Sequence, residues 1–274
     1  MIRLLSLLFI LGLLSPLSAQ NTPSIYYNFL PGQSYVLMAD KVNLRQKPSL
    51  QAKVLQKAPI GSSVQIISKS EKTLSLKGIA APWYFVLYKG QKAFVWGGLL
   101  ALGQESLKDG SQLLYGYERL EVVKQGQIEN RQFWLGLRLI QNHKEIQHLA
   151  VKAMGNLQTG LALRLDDNRG VEQLEQIIEL SFSDGYCGGT NGIQTVFLQK
   201  QRLYALPPLY SGSDLPVFQH QYFVYPKEHQ KSANLLIFKH ESGEYDDTTG
   251  QPQYDEQSST DYLWNGRVLL PLKP

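Results

Sequence analysis

The chain has 274 residues, of which 43% are hydrophobic and 18% charged, and its net charge at pH 7 is +4. This length suits two domains with hydrophobic cores. Cys187 is the single cysteine, which excludes an intramolecular disulfide, and the lack of any arginine-rich stripe argues against nucleic acid as a partner.

Residues 1–19 have the composition of a secretory signal peptide. Arg3 precedes an apolar run over residues 4–14, and small residues follow up to Ala19. The run is shorter than the ~20 apolar residues that cross a bilayer, although an uncleaved anchor is the alternative. We therefore expect cleavage after Ala19 and an exported protein, periplasmic or extracellular, with no membrane span after signal cleavage.

The charges of the remaining chain are divided unevenly. Residues 20–110 hold eleven basic and four acidic residues, a balance of +7, whereas residues 111–274 hold fifteen and nineteen, a balance of −4. A basic first part would be attracted to anionic wall polymers or lipid headgroups. The alternative is that scattered lysines only keep a small domain soluble.

Residues 20–33 are rich in proline and aromatic side chains, and they predict a lead-in segment rather than a strand. We expect the aromatics of this segment to dock on the unit that follows. They are Tyr26, Tyr27 and Phe29.

Residues 34–103 predict a small barrel of five or six short strands. Val42 and Leu44 alternate with the polar Asn43 and Arg45, as on a strand with one buried face. Short strands separated by turn residues at regular spacing are typical of such barrels. The other alternating stretches are residues 63–68, 83–88 and 93–96, and the turns between strands carry Pro48, Gly61 and Gly90.

The order of these motifs resembles the bacterial SH3-like domain of exported and wall-associated proteins. The matching residues are Val42-Asn43-Leu44-Arg45, Pro48, Val54-Leu55, Gly61, Trp83-Tyr84, Gly90 and Phe94-Val95. Two departures stand out: a family ending of Gly-Trp-Val is replaced by Ala93-Phe94-Val95-Trp96, and residues 68–82 form an insertion, for which we expect an exposed loop. The resemblance implies a module that binds cell-wall peptides or an envelope protein, without catalysis.

Five side chains of this unit are candidate ligand-binding residues. Flat aromatic rings beside a fixed guanidinium can hold a short polar peptide or a carboxylate. The alternative for the two tryptophans is a place in the barrel core, and for the asparagine and arginine a role in fixing the turn. The candidates are Asn43, Arg45, Trp83, Tyr84 and Trp96.

We expect residues 104–110 to form a polar linker and residues 111–274 to form a larger antiparallel β domain, sandwich or propeller-like. Residues 172–183 combine helical and strand spacing of apolar side chains, and strand is favoured from Ile177 onward. Residues 241–261 carry seven carboxylates and predict a solvated loop between two strands, with cation binding as the alternative.

Two further stretches of this second part are ambiguous. Residues 166–172 superficially resemble calcium loops, but Arg169 stands where an acidic residue is expected, so a turn is favoured. Residues 183–192 are rich in glycine. Together with residues 206–209, 213–214 and 223–226 they are similar to β-rich domains of exported bacterial proteins that have no assigned function. Cys187 within residues 183–192 could be a nucleophile that pairs with a downstream histidine. The histidines considered are His220, His229 and His240.

The sequence therefore predicts an all-β, exported, non-enzymatic binding protein without cofactor or metal. The SH3-like barrel would tether it to cell-wall material or a partner protein, and the second domain would supply another binding surface. Two alternatives stay open: a cell-wall hydrolase that uses Cys187 with a histidine, and a calcium-binding adhesion or scaffold protein.

Overall fold

The computed structural model describes residues 28–126, 128–154, 160–183 and 190–272. Within these ranges the regular structure is almost entirely β, with nineteen strands and one short helix, α1 (Pro226–His229). The predicted all-β class is confirmed. No helix of the described ranges is long and apolar enough to cross a bilayer.

The first unit is a curled, half-barrel sheet of six strands in the order β1-β4-β5-β6-β2-β3. Val42 and Leu44 point into its core, as their alternation with polar residues predicts. The predicted small barrel is therefore confirmed. Its strands are β1 (Ser34–Val36), β2 (Val42–Arg45), β3 (Val54–Ala58), β4 (Ser63–Leu76), β5 (Ile79–Tyr88) and β6 (Gln91–Trp96), followed by a 3-10 turn at Gly97–Leu99.

The end of the lead-in segment closes one side of this barrel. Phe29 is buried, with its ring 4.6 Å from that of Tyr35 and 5.4 Å from that of Tyr84. The docking predicted for the lead-in aromatics is confirmed for Phe29. Tyr26, Tyr27 and the predicted signal peptide lie outside the described residues.

The exposed loop predicted for residues 68–82 is wrong. The chain continues β4 to Leu76, turns at Lys77 and Gly78, and returns as β5. The tip of this hairpin lies against the next sheet, where the Leu120 amide donates a hydrogen bond to the Lys77 carbonyl at 2.9 Å. This contact supports strand pairing beyond residues 68–73, which are polar and show no apolar alternation.

The second unit is a four-stranded antiparallel sheet in the order β10-β9-β8-β7. The linker predicted for residues 104–110 is wrong, because part of it pairs with β8 as an edge strand. Main-chain hydrogen bonds make such a strand without needing apolar side chains. The strands are β7 (Gly103–Ser106), β8 (Gln112–Gln125), β9 (Ile128–Gln141) and β10 (Lys144–Lys152).

The barrel packs directly on one face of this sheet. Met38 lies over Gly116, where an added Cβ would be 2.5 Å from the methionine sulfur. The His143 ring donates from Nδ1 to the Ile60 carbonyl at 2.9 Å. A buried apolar cluster fills the contact and contains Val36, Met38, Ile60, Ala101, Leu114 and Ile140.

The third unit is a nine-stranded sheet in the order β11-β12-β13-β15-β16-β17-β18-β19. The remaining strand, β14, pairs with β13 outside this order. All its pairings are antiparallel, and the strand favoured from Ile177 onward is confirmed. The strands are β11 (Gly160–Asp166), β12 (Gln176–Ser183), β13 (Thr190–Gln199), β14 (Arg202–Ala205), β15 (Leu209–Asp214), β16 (Val217–Val224), β17 (Leu235–Tyr245), β18 (Pro252–Trp264) and β19 (Leu269–Pro271).

The solvated loop predicted for residues 241–261 is also wrong. β17 and β18 run through most of this stretch as a long hairpin, and the turn falls at residues 246–251. Asp246 holds that turn, since its Oδ1 accepts hydrogen bonds from the amides of Thr248 at 3.0 Å and Thr249 at 2.7 Å. These bonds also lower the pKa of the Asp246 carboxyl.

One hydrophobic core connects all three sheets. It extends from the barrel through Leu137 and Leu139 of β9 to Ile178 and Leu180 of β12. A second cluster, around Phe197, Tyr225 and Trp264, lies within the nine-stranded sheet and its connections. The barrel is therefore part of a continuous packed structure.

Gly78 offers a test of the contact between barrel and sheet. It has φ +76°, and a Cβ there would lie 2.5 Å from the Leu120 carbonyl oxygen, whereas Gly90 has φ +80° with no atom within 4 Å of its Cβ position. Both Gly→Ala changes should cost about 1–2 kcal/mol from left-handed backbone. Gly78→Ala should cost about 1–3 kcal/mol more through overpacking.

The free energy of unfolding in urea measures this difference, with Gly90→Ala as the matched control. Equal losses in the two variants would show that the hairpin tip does not depend on its contact with β8.

Candidate functional site

A depression of about 210 Å³ opens on the barrel surface, and we call it the barrel cleft. It combines apolar walls with charged and amide side chains at its edge. It contains four of the five candidate residues predicted from the sequence. Its lining consists of Ala39, Asp40, Lys41, Val42, Asn43, Arg45, Leu50, Leu76, Trp83, Trp96 and Leu99.

Strand β2 contributes Val42, Asn43 and Arg45 to the lining of this cleft. Because side chains alternate along a strand, the burial of Val42 and Leu44 directs these two polar residues to the opposite face. Arg45 is held there by a hydrogen bond of 2.8 Å from its Nη1 to the Ala52 carbonyl. The guanidinium therefore has a fixed position at the cleft.

The Asn43 side chain contributes a buried acceptor to the same region. Its Oδ1 is buried and has no hydrogen-bond partner among the described residues. Most buried polar atoms in folded proteins are hydrogen-bonded, and an unpaired one costs about 1–3 kcal/mol. A ligand that donates a hydrogen bond in the cleft would remove this cost.

The two tryptophans belong both to the barrel core and to the cleft wall. Trp83 is 3% exposed and Trp96 is 7% exposed, and they face each other across β5 and β6. The Trp96 indole Nε1 donates to the carbonyls of Leu74 at 3.0 Å and Ala81 at 3.1 Å. The bonds orient the ring, so the cleft has a rigid aromatic wall.

Tyr84 is the candidate that the structure places elsewhere. It is fully buried on the side of β5 opposite to Trp83, and its hydroxyl oxygen accepts a hydrogen bond of 3.3 Å from the Phe29 amide. Burial raises the pKa of the phenol. Its contacts are with the lead-in segment rather than with the cleft.

A second depression, of about 220 Å³, lies between the barrel and the four-stranded sheet, and we call it the junction cleft. It shares Ala39, Leu76, Trp96 and Leu99 with the barrel cleft, so the two depressions adjoin each other. Its other lining residues are Met38, Lys77, Ile79, Gly98, Tyr117, Glu118 and Arg138.

Glu118 and Arg138 bring opposite charges to the junction cleft from β8 and β9. Glu118 sits where the pairing of β8 with β9 shifts register, and a bulge of this kind re-aims a side chain. Gly136 of β9 leaves it space, because a Cβ there would lie 2.8 Å from Glu118 Oε2. The sequence alone did not single out either residue, because their position depends on how the barrel docks.

Both charged side chains of the junction cleft have partners in the sheet. The Glu118 carboxylate accepts a hydrogen bond from His148 and lies 3.6 Å from the Arg119 guanidinium. Arg138 pairs through Nη1 with Glu145. The Arg138 Nε is buried and has no hydrogen-bond partner among the described residues.

The calcium-like stretch at residues 166–172 is a turn that holds α1. Asp167 accepts a hydrogen bond from the Arg169 amide at 2.8 Å and pairs with Lys227 of α1 at 3.1 Å, and both contacts lower its pKa. The Arg169 guanidinium stacks 4.0 Å from the centre of the Tyr225 ring. Among the described residues, no group of three or more histidine, cysteine or acidic side chains is arranged for a metal ion.

Cys187 lies outside the described residues, but the histidines considered with it are placed. The His229 ring nitrogens contact the Leu235 carbonyl at 2.9 Å and the Lys231 amide at 3.0 Å. His240 Nε2 lies 3.1 Å from Gln219 Nε2, and the His220 ring packs 5.4 Å from that of Phe218.

Comparison with known proteins identifies the barrel alone. No curated protein and no solved structure matches the chain. A family model described as the bacterial SH3 domain matches residues 40–101, which include β2 to β6 and the 3-10 turn. Domains of this family suggest binding modules, often related to the cell wall. Residues 40–101 are therefore a bacterial SH3 domain, and the antiparallel β-sheets follow it in the chain.

Proposed function

We propose that this protein is an exported, non-enzymatic binding protein whose SH3 domain holds short peptides of the cell wall in the barrel cleft. The observation that carries the proposal is the position of Arg45 and Asn43 beside the aromatic wall of the cleft. The identity of the domain as a bacterial SH3 domain supports the same function.

The chemistry of the cleft suits a peptide. An amide N–H of a ligand can donate to the buried Asn43 Oδ1, and the Arg45 N–H groups not used by Ala52 can donate to a carbonyl or carboxylate. The apolar wall of Trp83 and Trp96 can cover a short aliphatic side chain or the peptide plane. Both polar functions of one peptide unit thus have counterparts in the cleft.

The positive charge of the first part of the chain favours binding to an anionic cell wall. Residues 20–110 carry a balance of +7, eleven basic against four acidic residues. Such a domain is drawn to anionic polymers before any specific contact forms. The alternative partner is an envelope protein with an acidic extended segment.

Sedimentation with isolated sacculi tests the proposal. We expect the chain without residues 1–19 to sediment with sacculi, and Arg45→Met to weaken this binding about tenfold because a hydrogen bond of a charged group is lost. Lys92→Met is the matched control, since Lys92 is exposed on the same domain outside the cleft and its removal changes the charge equally.

The proposal is wrong if the unmodified chain stays in the supernatant. Equal weakening by both substitutions would indicate that only net charge attracts the domain to the wall, and it would remove the role of the cleft.

Export is a separate part of the proposal and rests on the composition of residues 1–19. When the 274-residue chain is expressed in a bacterium, we expect the mature protein outside the cytoplasm to start at Gln20. N-terminal sequencing measures this. An uncleaved chain retained with the membrane would support the alternative of an anchor.

The absence of catalysis is proposed from the family of the SH3 domain and from the structural contacts of the downstream histidines. We expect the protein to release no soluble fragments from sacculi, and Cys187→Ser to sediment with them unchanged. Chromatography of the supernatant measures release. Fragments that appear with the native chain and disappear with Cys187→Ser would establish the hydrolase alternative.

A further inference from the structure

The two adjoining clefts are each lined by a residue with a buried polar atom that lacks a partner among the described residues, and the two atoms have opposite hydrogen-bonding character. Asn43 lines the barrel cleft and its Oδ1 is an unpaired acceptor, while Arg138 lines the junction cleft and its Nε is an unpaired donor. The first belongs to the SH3 domain and the second to the four-stranded sheet. A single ligand that donates to one and accepts from the other would satisfy both.

The size of the two depressions also points to one extended ligand. Their volumes are about 210 Å³ and 220 Å³, and each is below the roughly 300–1,000 Å³ typical of small-molecule sites. Leu76, Trp96 and Leu99 line both, so they form a shared apolar floor. A ligand that crosses these shared residues would occupy both depressions, whose combined volume reaches the ordinary range.

We propose that the four-stranded sheet completes the binding site of the SH3 domain, and that Arg138 with Lys77 binds the C-terminal carboxylate of the peptide. An N–H of the same peptide donates to Asn43 Oδ1, and its chain crosses the apolar floor. This inference rests on the proposed function and names its ligand class as peptides with a free C-terminal carboxylate.

The charges around the junction cleft favour a carboxylate over an amine at Arg138. Lys77 adds a second cation at the exposed hairpin tip. Glu118 is the acidic side chain that lines this cleft, and it is already in contact with His148 and Arg119. Arg138 pairs with Glu145 through Nη1, while its Nε has no hydrogen-bond partner among the described residues. A carboxylate can therefore accept a charge-assisted hydrogen bond from Nε.

Titration calorimetry with two peptides tests the proposal. The probes are a synthetic wall-type tetrapeptide with a free C-terminal carboxylate and the same peptide with a C-terminal amide. The chain without residues 1–19 should bind the acid at least tenfold more tightly than the amide. Arg138→Met should weaken binding of the acid by the same factor and leave the amide unchanged.

Two further variants supply a second test and a control. Lys77→Met removes a charge from an exposed turn without disturbing the sheet, and it should reduce the preference for the acid several-fold. Arg267→Met is the matched control, because Arg267 is exposed in the turn before β19 and lies away from both clefts.

The outcomes separate this inference from the proposed function. One contradicting outcome is a chain that sediments with sacculi but binds the acid and the amide equally. Another is a preference for the acid that persists in both Arg138→Met and Lys77→Met. Either result would show that the proposed role of the sheet is wrong, while the proposal for the barrel cleft would be retained. If it binds neither sacculi nor peptides, both proposals are wrong.

Discussion

The packing of the SH3 domain on the face of β8 and β9 determines both the arrangement of the first two units and the surroundings of the candidate site. Met38 fits over Gly116, Ile60 and Ile140 belong to one buried cluster, and the hairpin tip at Lys77 hydrogen-bonds to β8. An isolated barrel would have the barrel cleft alone. Because the barrel is seated on a sheet, the barrel cleft adjoins a second depression, to which β8 and β9 contribute the charged side chains Glu118 and Arg138. Burial of apolar surface at this contact thus both stabilises the fold and shapes the candidate site.

The tryptophans show that a core residue and a binding residue need not be alternatives. Trp83 and Trp96 are almost fully buried, as expected for a barrel core, and yet both residues line the cleft. The hydrogen bonds of the Trp96 indole to two carbonyls hold one ring in place. A wall made from core side chains loses little conformational entropy when a ligand binds, since those side chains are already ordered.

Sequence patterns predicted the barrel because its strands have one buried and one exposed face. Val42 and Leu44 marked the core, so Asn43 and Arg45 were correctly assigned to one surface. The same reasoning failed for residues 68–82, 104–110 and 241–261. Residues 68–73, 104–106 and most of 241–261 pair through the main chain with polar side chains on both faces, so no apolar period of two arises there. Leu74 and Leu76 do show a period of two, which the expectation of a loop overlooked. Glu118 and Arg138 were missed because a local pattern does not show which distant surface will come to face them.

The hairpin of β4 and β5 reaches β8 through main-chain atoms, with the Lys77 carbonyl accepting from the Leu120 amide. Such a bond does not depend on the side chain of Lys77, although the neighbouring Gly78 has to lack a side chain, because a Cβ there would lie 2.5 Å from the Leu120 carbonyl oxygen. It does depend on how many residues the hairpin contains, because removal of a pair of residues would withdraw the tip by about one strand repeat of roughly 3.3 Å. Apart from Gly78, the length of this insertion is therefore under a stronger geometric constraint than its composition, and shortening it would open the junction cleft towards solvent.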